Sequence, residues 1–292
     1  MRTGTLTGFE VSLGDDGVAL IRFNQPDTLN AFTRAAKRDL IETLLQAQMD
    51  DRVRIVVFTG SGRAFVAGDD INFERQQRTS PQLVDALPYE GSFPLRTYDS
   101  LRSASQLLNL TVRHLDKITI AALHGHVVQS GLSLALACDF RIAADDLRLT
   151  SGTLRMGYLP DEGGHWLLVQ HLGVARTMDF LLYNRVYDAS QAHALGLVHE
   201  VVARADLEST ALERARTLAR GPQVAMRLLK RAVYTAAGAT FEQALDDIAT
   251  KTAITDHHPD AIEGKTAFKE KRPPQFNAWL ENGTGSNSRD ER

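Results

Sequence analysis

The apolar run Arg-Ile-Val-Val-Phe-Thr at positions 54–59 is the most sharply patterned segment of the chain. A continuous run of that length predicts a strand buried on both faces. Val18–Phe23, rich in β-branched and aromatic residues, predicts another strand, and Asn24-Gln25-Pro26-Asp27 after it predicts a turn. Between the two strands, Leu40, Ile41, Leu44, Leu45 and Met49 recur at helical spacing. Thr33 is placed to cap that helix, which should run to about Asp50. Strand, helix and buried strand predict a crossover unit with parallel pairing.

Farther along, positions 75–98 carry Ser80, Pro81, Pro88, Gly91 and Pro94 and predict a long irregular loop, of the kind that often serves as a lid or a binding loop. A helix is predicted over 100–115, then a second buried strand over Ile118–Leu123. A helix should start near Ser130 and Gly131 and reach Cys138, with short strands at 139–143 and 147–149. From Gly163 onward the pattern is mostly helical. The last stretch, 281–292 (ENGTGSNSRDER), is polar and predicts disorder.

Composition narrows the class. The 292 residues can bury a substantial core, with hydrophobic and charged fractions ordinary for a globular protein. A net charge of −3 argues against nucleic acid as a partner, though a local basic patch for a phosphorylated ligand stays open. The single cysteine, Cys138, lies in an apolar run and is read as a small buried hydrophobe rather than a nucleophile. One cysteine forms no internal disulfide, which points to a reducing compartment. No secretory signal or membrane span is read, so a cytoplasmic protein is expected.

Three segments could carry chemistry. The first, Gly60 to Asp70 (GSGRAFVAGDD), follows the best strand directly, and its glycine-rich turn can expose backbone N–H groups. It fits neither the dinucleotide fingerprint, which needs glycine where Phe65 stands, nor the phosphate loop, which needs Gly-Lys-Ser/Thr. The second, His124 to Leu132 (HGHVVQSGL), also leaves a buried strand and enters a helix, whose free N–H groups suit a developing negative charge. His124 and His126 have no further ligand pattern nearby, so they are read as loop histidines and no metal is expected. In the third, Leu159 to Trp166 (LPDEGGHW), the paired acids Asp161 and Glu162 precede a helix, where acids often serve as caps.

Taken in order, these segments resemble the crotonase (enoyl-CoA hydratase/isomerase) superfamily. Positions 62–70 look like its GxAFxAGxD segment, 125–139 like its GxxxGGGxxLAxxCD segment, and 157–164 like its GLxPxxGG segment. Asn30-Ala31, positions 189–198, 222–230 and 268–276 agree as well. The resemblance implies an α/β fold, a crotonase-like spiral of β-β-α turns with a C-terminal helical trimerisation region. Applied to this chain, the spiral core would span 1–200, the helical region 201–280 and a disordered tail 281–292. It also implies an acyl-CoA thioester substrate, no resident cofactor beyond the coenzyme A of that substrate, and a homotrimer or hexamer. The thioester oxygen would sit between the backbone N–H groups of Asp69 and Ser130, an oxyanion hole that stabilises an enolate. Ala67, Gly68, Asp70, Gln129, Gly131, Ser133 and Thr153 would line the substrate site.

Departures from the family pattern redirect the chemistry. The two hydratase glutamates are replaced by Ser133 and Thr153, neither suited to acid–base work near neutrality. The usual triple glycine reads Gln129-Ser130-Gly131, which keeps the N–H donor but would strain any backbone with positive φ. Asp161 stands where several family branches, among them dienoyl-CoA isomerases and aryl-CoA dehalogenases, hold a catalytic aspartate, and Glu162 is the second acid. The resemblance therefore points to double-bond isomerisation by Asp161, with a hydratase-like lyase, a hydrolase or a catalytically silent CoA-binding protein as alternatives. Arg155 is a pocket candidate that could pair with an acid. The basic residue usual after the first strand is absent, so Lys269, Lys271 and Arg272 become candidates for the CoA phosphates, with a solvated helix face as the competing explanation.

Overall fold

The computed structural model describes residues 1–72 and 93–282. Strands β1 (Gly4–Thr5), β2 (Phe9–Leu13) and β3 (Val18–Phe23) pair antiparallel. Helix α1 (Arg34–Met49) leads to β4 (Ile55–Gly60), which lies parallel to β3. Thr33 caps α1, its hydroxyl accepting from the Ala36 amide, and the predicted crossover unit is formed.

From β4 onward the chain repeats one device three times. Each strand of the main sheet is followed at once by a three-residue strand of a second sheet and then by a helix. β4 leads to β5 (Ala64–Val66), β6 (Ile118–Leu123) to β7 (His126–Val128), and β8 (Phe140–Ala144) to β9 (Arg148–Thr150). The helices that follow are a helical stretch over 93–114, α4 (Ser130–Ala137) and α5 (Gly164–Leu182). The first consists of α2 (Phe93–Ser100), a π-helical turn (Leu101–Ser105) and α3 (Gln106–His114). The seven-stranded sheet is completed by β10 (Glu200–Val202), in the order β1-β2-β3-β4-β6-β8-β10. The small sheet, β5-β7-β9, is wholly parallel. This is the expected spiral of β-β-α turns.

Burial follows from the sequence pattern. In β4, Val56 and Phe58 enter the larger core while Ile55 and Val57 enter a second core on the opposite face of the sheet. In β6, Ala121 and Leu123 face the first core, and Ile118, Ile120 and Ala122 the second. That second face is covered by α7 (Leu207–Ala219), which presents Leu207, Ala211, Ala215 and Ala219 in one row. Small side chains at that spacing let the helix approach the sheet closely. The remaining helices are α6 (Ala189–Ala194), α8 (Gln223–Ala236), α9 (Phe241–Asp256), α10 (Pro259–Glu270) and α11 (Ala278–Asn282). No residue of α9 is buried.

Several sequence expectations need correcting. Positions 93–98, expected to belong to an irregular loop, are helical; the rest of that loop, 75–92, lies outside the described residues. So does the polar tail from 283 onward. The segment after β4, read as a glycine-rich turn, also holds a short strand, β5. β10 interrupts the helical C-terminal part, pairing parallel with β8. Among the described residues no helix is long and apolar enough to cross a membrane.

Candidate active site

The three strands of the small sheet run parallel, so their C-terminal ends share one edge. Ala67–Asp70 leaves β5, Gln129 leaves β7, and Ser151–Thr153 leaves β9. The first two segments touch: a Cβ at Gly131 would lie 2.2 Å from the Val66 carbonyl oxygen, and one at Gly68 would lie 4.0 Å from Gln129 Cβ. Gly131 is therefore a glycine because the Val66 backbone occupies the side-chain position.

On the β5 side, the strand-like contact with Phe32 occupies the neighbours of Asp69. Phe32 N–H donates to the Gly68 carbonyl and Asp70 N–H to the Phe32 carbonyl, while Ala67 N–H donates to Leu29. Among the described residues the Asp69 amide donates to no backbone carbonyl, and neither does that of Ser130, the first residue of α4. One amide on each of the two touching segments is thus left as a donor without a partner among the described residues. The Ser130 hydroxyl is also buried without a partner among the described residues. Asp70 is buried, its carboxylate accepting from Asn72 N–H at 2.9 Å.

Gln129, the residue before α4, has φ 41° and ψ −99°. A side chain in that region costs about 1–3 kcal/mol and persists only where its surroundings hold it. They do so here. Gln129 N–H donates to the Thr150 carbonyl at 3.2 Å and its carbonyl accepts from Ser133 N–H at 2.8 Å. Its side-chain NH2 donates to Glu162 Oε2 at 2.6 Å, and its side-chain oxygen accepts from Ser151 Oγ at 2.6 Å. Ser151 in turn lies 3.2 Å from Thr153 Oγ1. Thr153 and Gln129 are therefore linked, and Ser133, at the other hydratase position, is packed against Gly164 at the start of α5. The positive φ foreseen for the altered glycine triplet falls on Gln129 alone; Ser130 is helical.

The acid pair is held by two amides of α3. Gln106 Nε2 donates to the Asp161 carbonyl and Asn109 Nδ2 to the Glu162 carbonyl, both at 3.0 Å. Their side chains diverge in environment. Glu162 is only 4% exposed. Burial, with the Asp69 charge second, pushes its carboxyl up to about 7. Asp161 is exposed, and its carboxyl is also raised, first by desolvation and then by Asp69. Lys37 opposes both shifts. A cavity of about 260 Å³ lies beside the pair, lined among others by Asn109, Leu110, Arg113 and Trp166. A larger one, about 640 Å³, lies against α8, lined by Arg141, Lys230 and Tyr234, and contains none of the predicted site residues.

Other predicted residues sit elsewhere. Arg155 is exposed and donates to the Asn184 carbonyl rather than to an acid. Arg272 is already engaged by Glu263 and Glu270, with its closest contact to each at 2.6 Å; Lys269 and Lys271 are exposed. His124 is fully buried, which holds its imidazole down near 4, whereas His126 is exposed. Cys138 is buried and its thiol is pushed up to about 12, as fits an inert core residue. Among the described residues no cluster of three or more metal-ligating side chains occurs.

Sequence reasoning missed Lys37, Ser151, Gln106 and Asn109. Lys37 was detectable, because it falls in the apolar row of α1 with Ala36, Leu40, Ile41 and Leu44. A lysine within such a row calls for a buried partner.

The family profile described as Enoyl-CoA hydratase/isomerase matches residues 14–279. The chain belongs to the enoyl-CoA hydratase/isomerase family. Like other crotonase-fold members, it is an acyl-CoA enzyme by family. Its relatives include the 1,2-epoxyphenylacetyl-CoA isomerase of Escherichia coli (strain K12), 33% identical over 92% of this chain and 98% of that protein. A probable enoyl-CoA hydratase of Rhodobacter capsulatus is 32% identical over 92% and 96%. The crystal structure of a putative enoyl-CoA hydratase from Streptomyces coelicolor A3(2) superposes with a TM-score of 0.83 at 29% identity, covering 95% of this chain and 96% of that one.

Proposed function

We propose that this family member isomerises a double bond in the acyl chain of an acyl-CoA thioester. The thioester oxygen is held by the N–H groups of Asp69 and Ser130. The Asp161 carboxylate removes a proton from the carbon α or γ to the carbonyl, and the electron pair delocalises onto the oxygen as a dienolate. Asp161 then returns the same proton to the other carbon. No atom is gained or lost, and no resident cofactor is required; coenzyme A enters as part of the substrate.

One observation carries this reading: two carboxyls with raised proton affinity stand beside a pair of amides that have no acceptor among the described residues. A carboxyl raised from its ordinary value is a better proton acceptor near neutrality, and unpartnered amides suit an oxygen that gains charge. Asp161 is preferred to Glu162 as the acid–base because it is exposed, whereas Glu162 is already bound by Gln129. The E. coli relative is itself named an isomerase, of 1,2-epoxyphenylacetyl-CoA, which agrees with the broad reaction class proposed. The test is an enoyl-CoA panel followed by NMR in deuterated water. A double-bond shift is expected; release of free CoA or incorporation of solvent oxygen would instead favour a hydrolase or a lyase. No turnover of any member would favour the silent CoA-binding reading.

The same reading takes the protein as a homotrimer, or a hexamer built from trimers. Exposed Leu229, Val233, Phe241, Leu245 and Phe268 on the last helices support it. Light scattering should give a mass three or six times 32.2 kDa; a monomer would overturn it.

A further inference from the structure

We propose that Gln129 is a positioning residue, whose side-chain amide, clamped between Ser151 Oγ and Glu162 Oε2, holds the backbone twist that sets the Ser130 N–H for the thioester oxygen. The proposal rests on the acyl-CoA reading above and deepens it. Its premise is the conformation of Gln129. Glycine adopts positive φ freely, but a residue with a Cβ needs a reason to stay there. The peptide between Gln129 and Ser130 is the one whose N–H would face the substrate, so its orientation depends directly on the Gln129 ψ angle of −99°.

The clamp acts at both ends of one planar group. An ionised Glu162 can only accept, as it does from the Gln129 NH2, and Ser151 can donate to the Gln129 oxygen, so with Glu162 ionised the amide has one arrangement that satisfies both neighbours. All four residues of the chain, Glu162, Gln129, Ser151 and Thr153, are buried. Inside the protein such a chain is little weakened by water, and breaking one link leaves the next polar group unpaired. Ser151 and Thr153 follow β9, Glu162 precedes α5, and Gln129 follows β7. The side chain of one residue therefore ties three turns of the spiral at the point where the oxyanion donor emerges. It also gives Glu162 a role that needs no contact with substrate: an acceptor that holds Gln129 whether or not its second oxygen carries a proton.

The test uses acetoacetyl-CoA, whose bound enolate absorbs in the near ultraviolet, alongside turnover of the best enoyl-CoA substrate. The wild-type protein should raise the enolate band. Gln129→Met keeps the length of the side chain but removes both hydrogen bonds. In that variant the band should need at least roughly tenfold more protein to appear, and kcat should fall about a hundredfold with KM within about threefold. Ser151→Ala, which leaves Gln129 itself intact, should shift both readouts the same way by less, and Ser151→Thr should restore them. A folded Gln129→Met or Ser151→Ala protein with the wild-type enolate band and kcat overturns the positioning role alone. A wild-type protein that raises no band and turns over no acyl-CoA overturns the function itself, and this role with it.

Discussion

The Lys37 ammonium lies 2.7 Å from the Asp69 carboxylate and 2.6 Å from Ser105 Oγ, and it is almost wholly buried while Asp69 is nearly half exposed. The cation thus fixes the side chain of Asp69, whose amide is a proposed oxyanion donor, and its charge lowers the proton affinity of both acids. Ser105 closes the π-helical turn that precedes α3, so the same lysine also fastens that turn to α1.

Replacing Lys37 by Met should raise the proton affinity of Asp161 and Glu162 further, because the Lys37 charge lowers both. If Asp161 works as a base, the acidic limb of the pH dependence of kcat/KM should move to higher pH. Its position in wild type and variant checks this; an unmoved limb would show that Lys37 does not reach the catalytic acid.

Asp161→Asn should reduce kcat by about 10²- to 10⁴-fold, the usual contribution of a positioned proton carrier. Asp161 is exposed, so the thermal midpoint should stay close to that of the wild type. Unaltered turnover in this variant would remove Asp161 from the mechanism.

Glu162 links stability to pH. Its folded value of about 7 lies above the ordinary 4.5, so the folded protein holds this proton more tightly than the unfolded chain. The contribution is fully present below about pH 4.5 and is lost as pH rises through about 7. Over that window it is on the order of 3 kcal/mol. Glu162→Gln should flatten this part of the curve. Urea unfolding at pH 5 and pH 8 measures it, and equal slopes in the two proteins would refute the assignment.

Gly131→Ala should destabilise the fold by about 1–3 kcal/mol, since its Cβ would meet the Val66 carbonyl oxygen at 2.2 Å. Activity should fall with it, because relief requires moving the start of α4 away from β5. A drop in thermal midpoint together with weaker acyl-CoA binding is the expected pair of results.

The long elements were legible in the sequence for physical reasons. The α1 row of apolar residues spans several turns and carries its cap at Thr33; β4 and β6 are continuous apolar runs buried on both faces. The three-residue strands β5, β7 and β9 are too short to show alternation. They are defined by pairing with one another, which is a long-range fact. β2 did carry a signal, Phe9, Val11 and Leu13 alternating with polar residues, and so did Lys37. The acid pair could be located from the resemblance, but not its division of labour. The backbone of the pair is held by Gln106 and Asn109, and the buried Glu162 carboxyl by Gln129, all distant in the chain. The twist at Gln129 left no mark at all, since a glutamine does not announce a positive φ.

The small sheet has a consequence for how this enzyme can vary. Three site segments hang from neighbouring strands of one three-rung ladder, held by few hydrogen bonds and by Val66, Val127 and Leu149, all fully buried. A change of volume at any of those three side chains displaces the loops as a set rather than singly. Selection for a new acyl group therefore meets a stiff, shared mount along this edge. The cavity beside the acid pair is lined from other elements, by Leu110 of α3 and Trp166 of α5, whose side chains can change volume without loading that ladder.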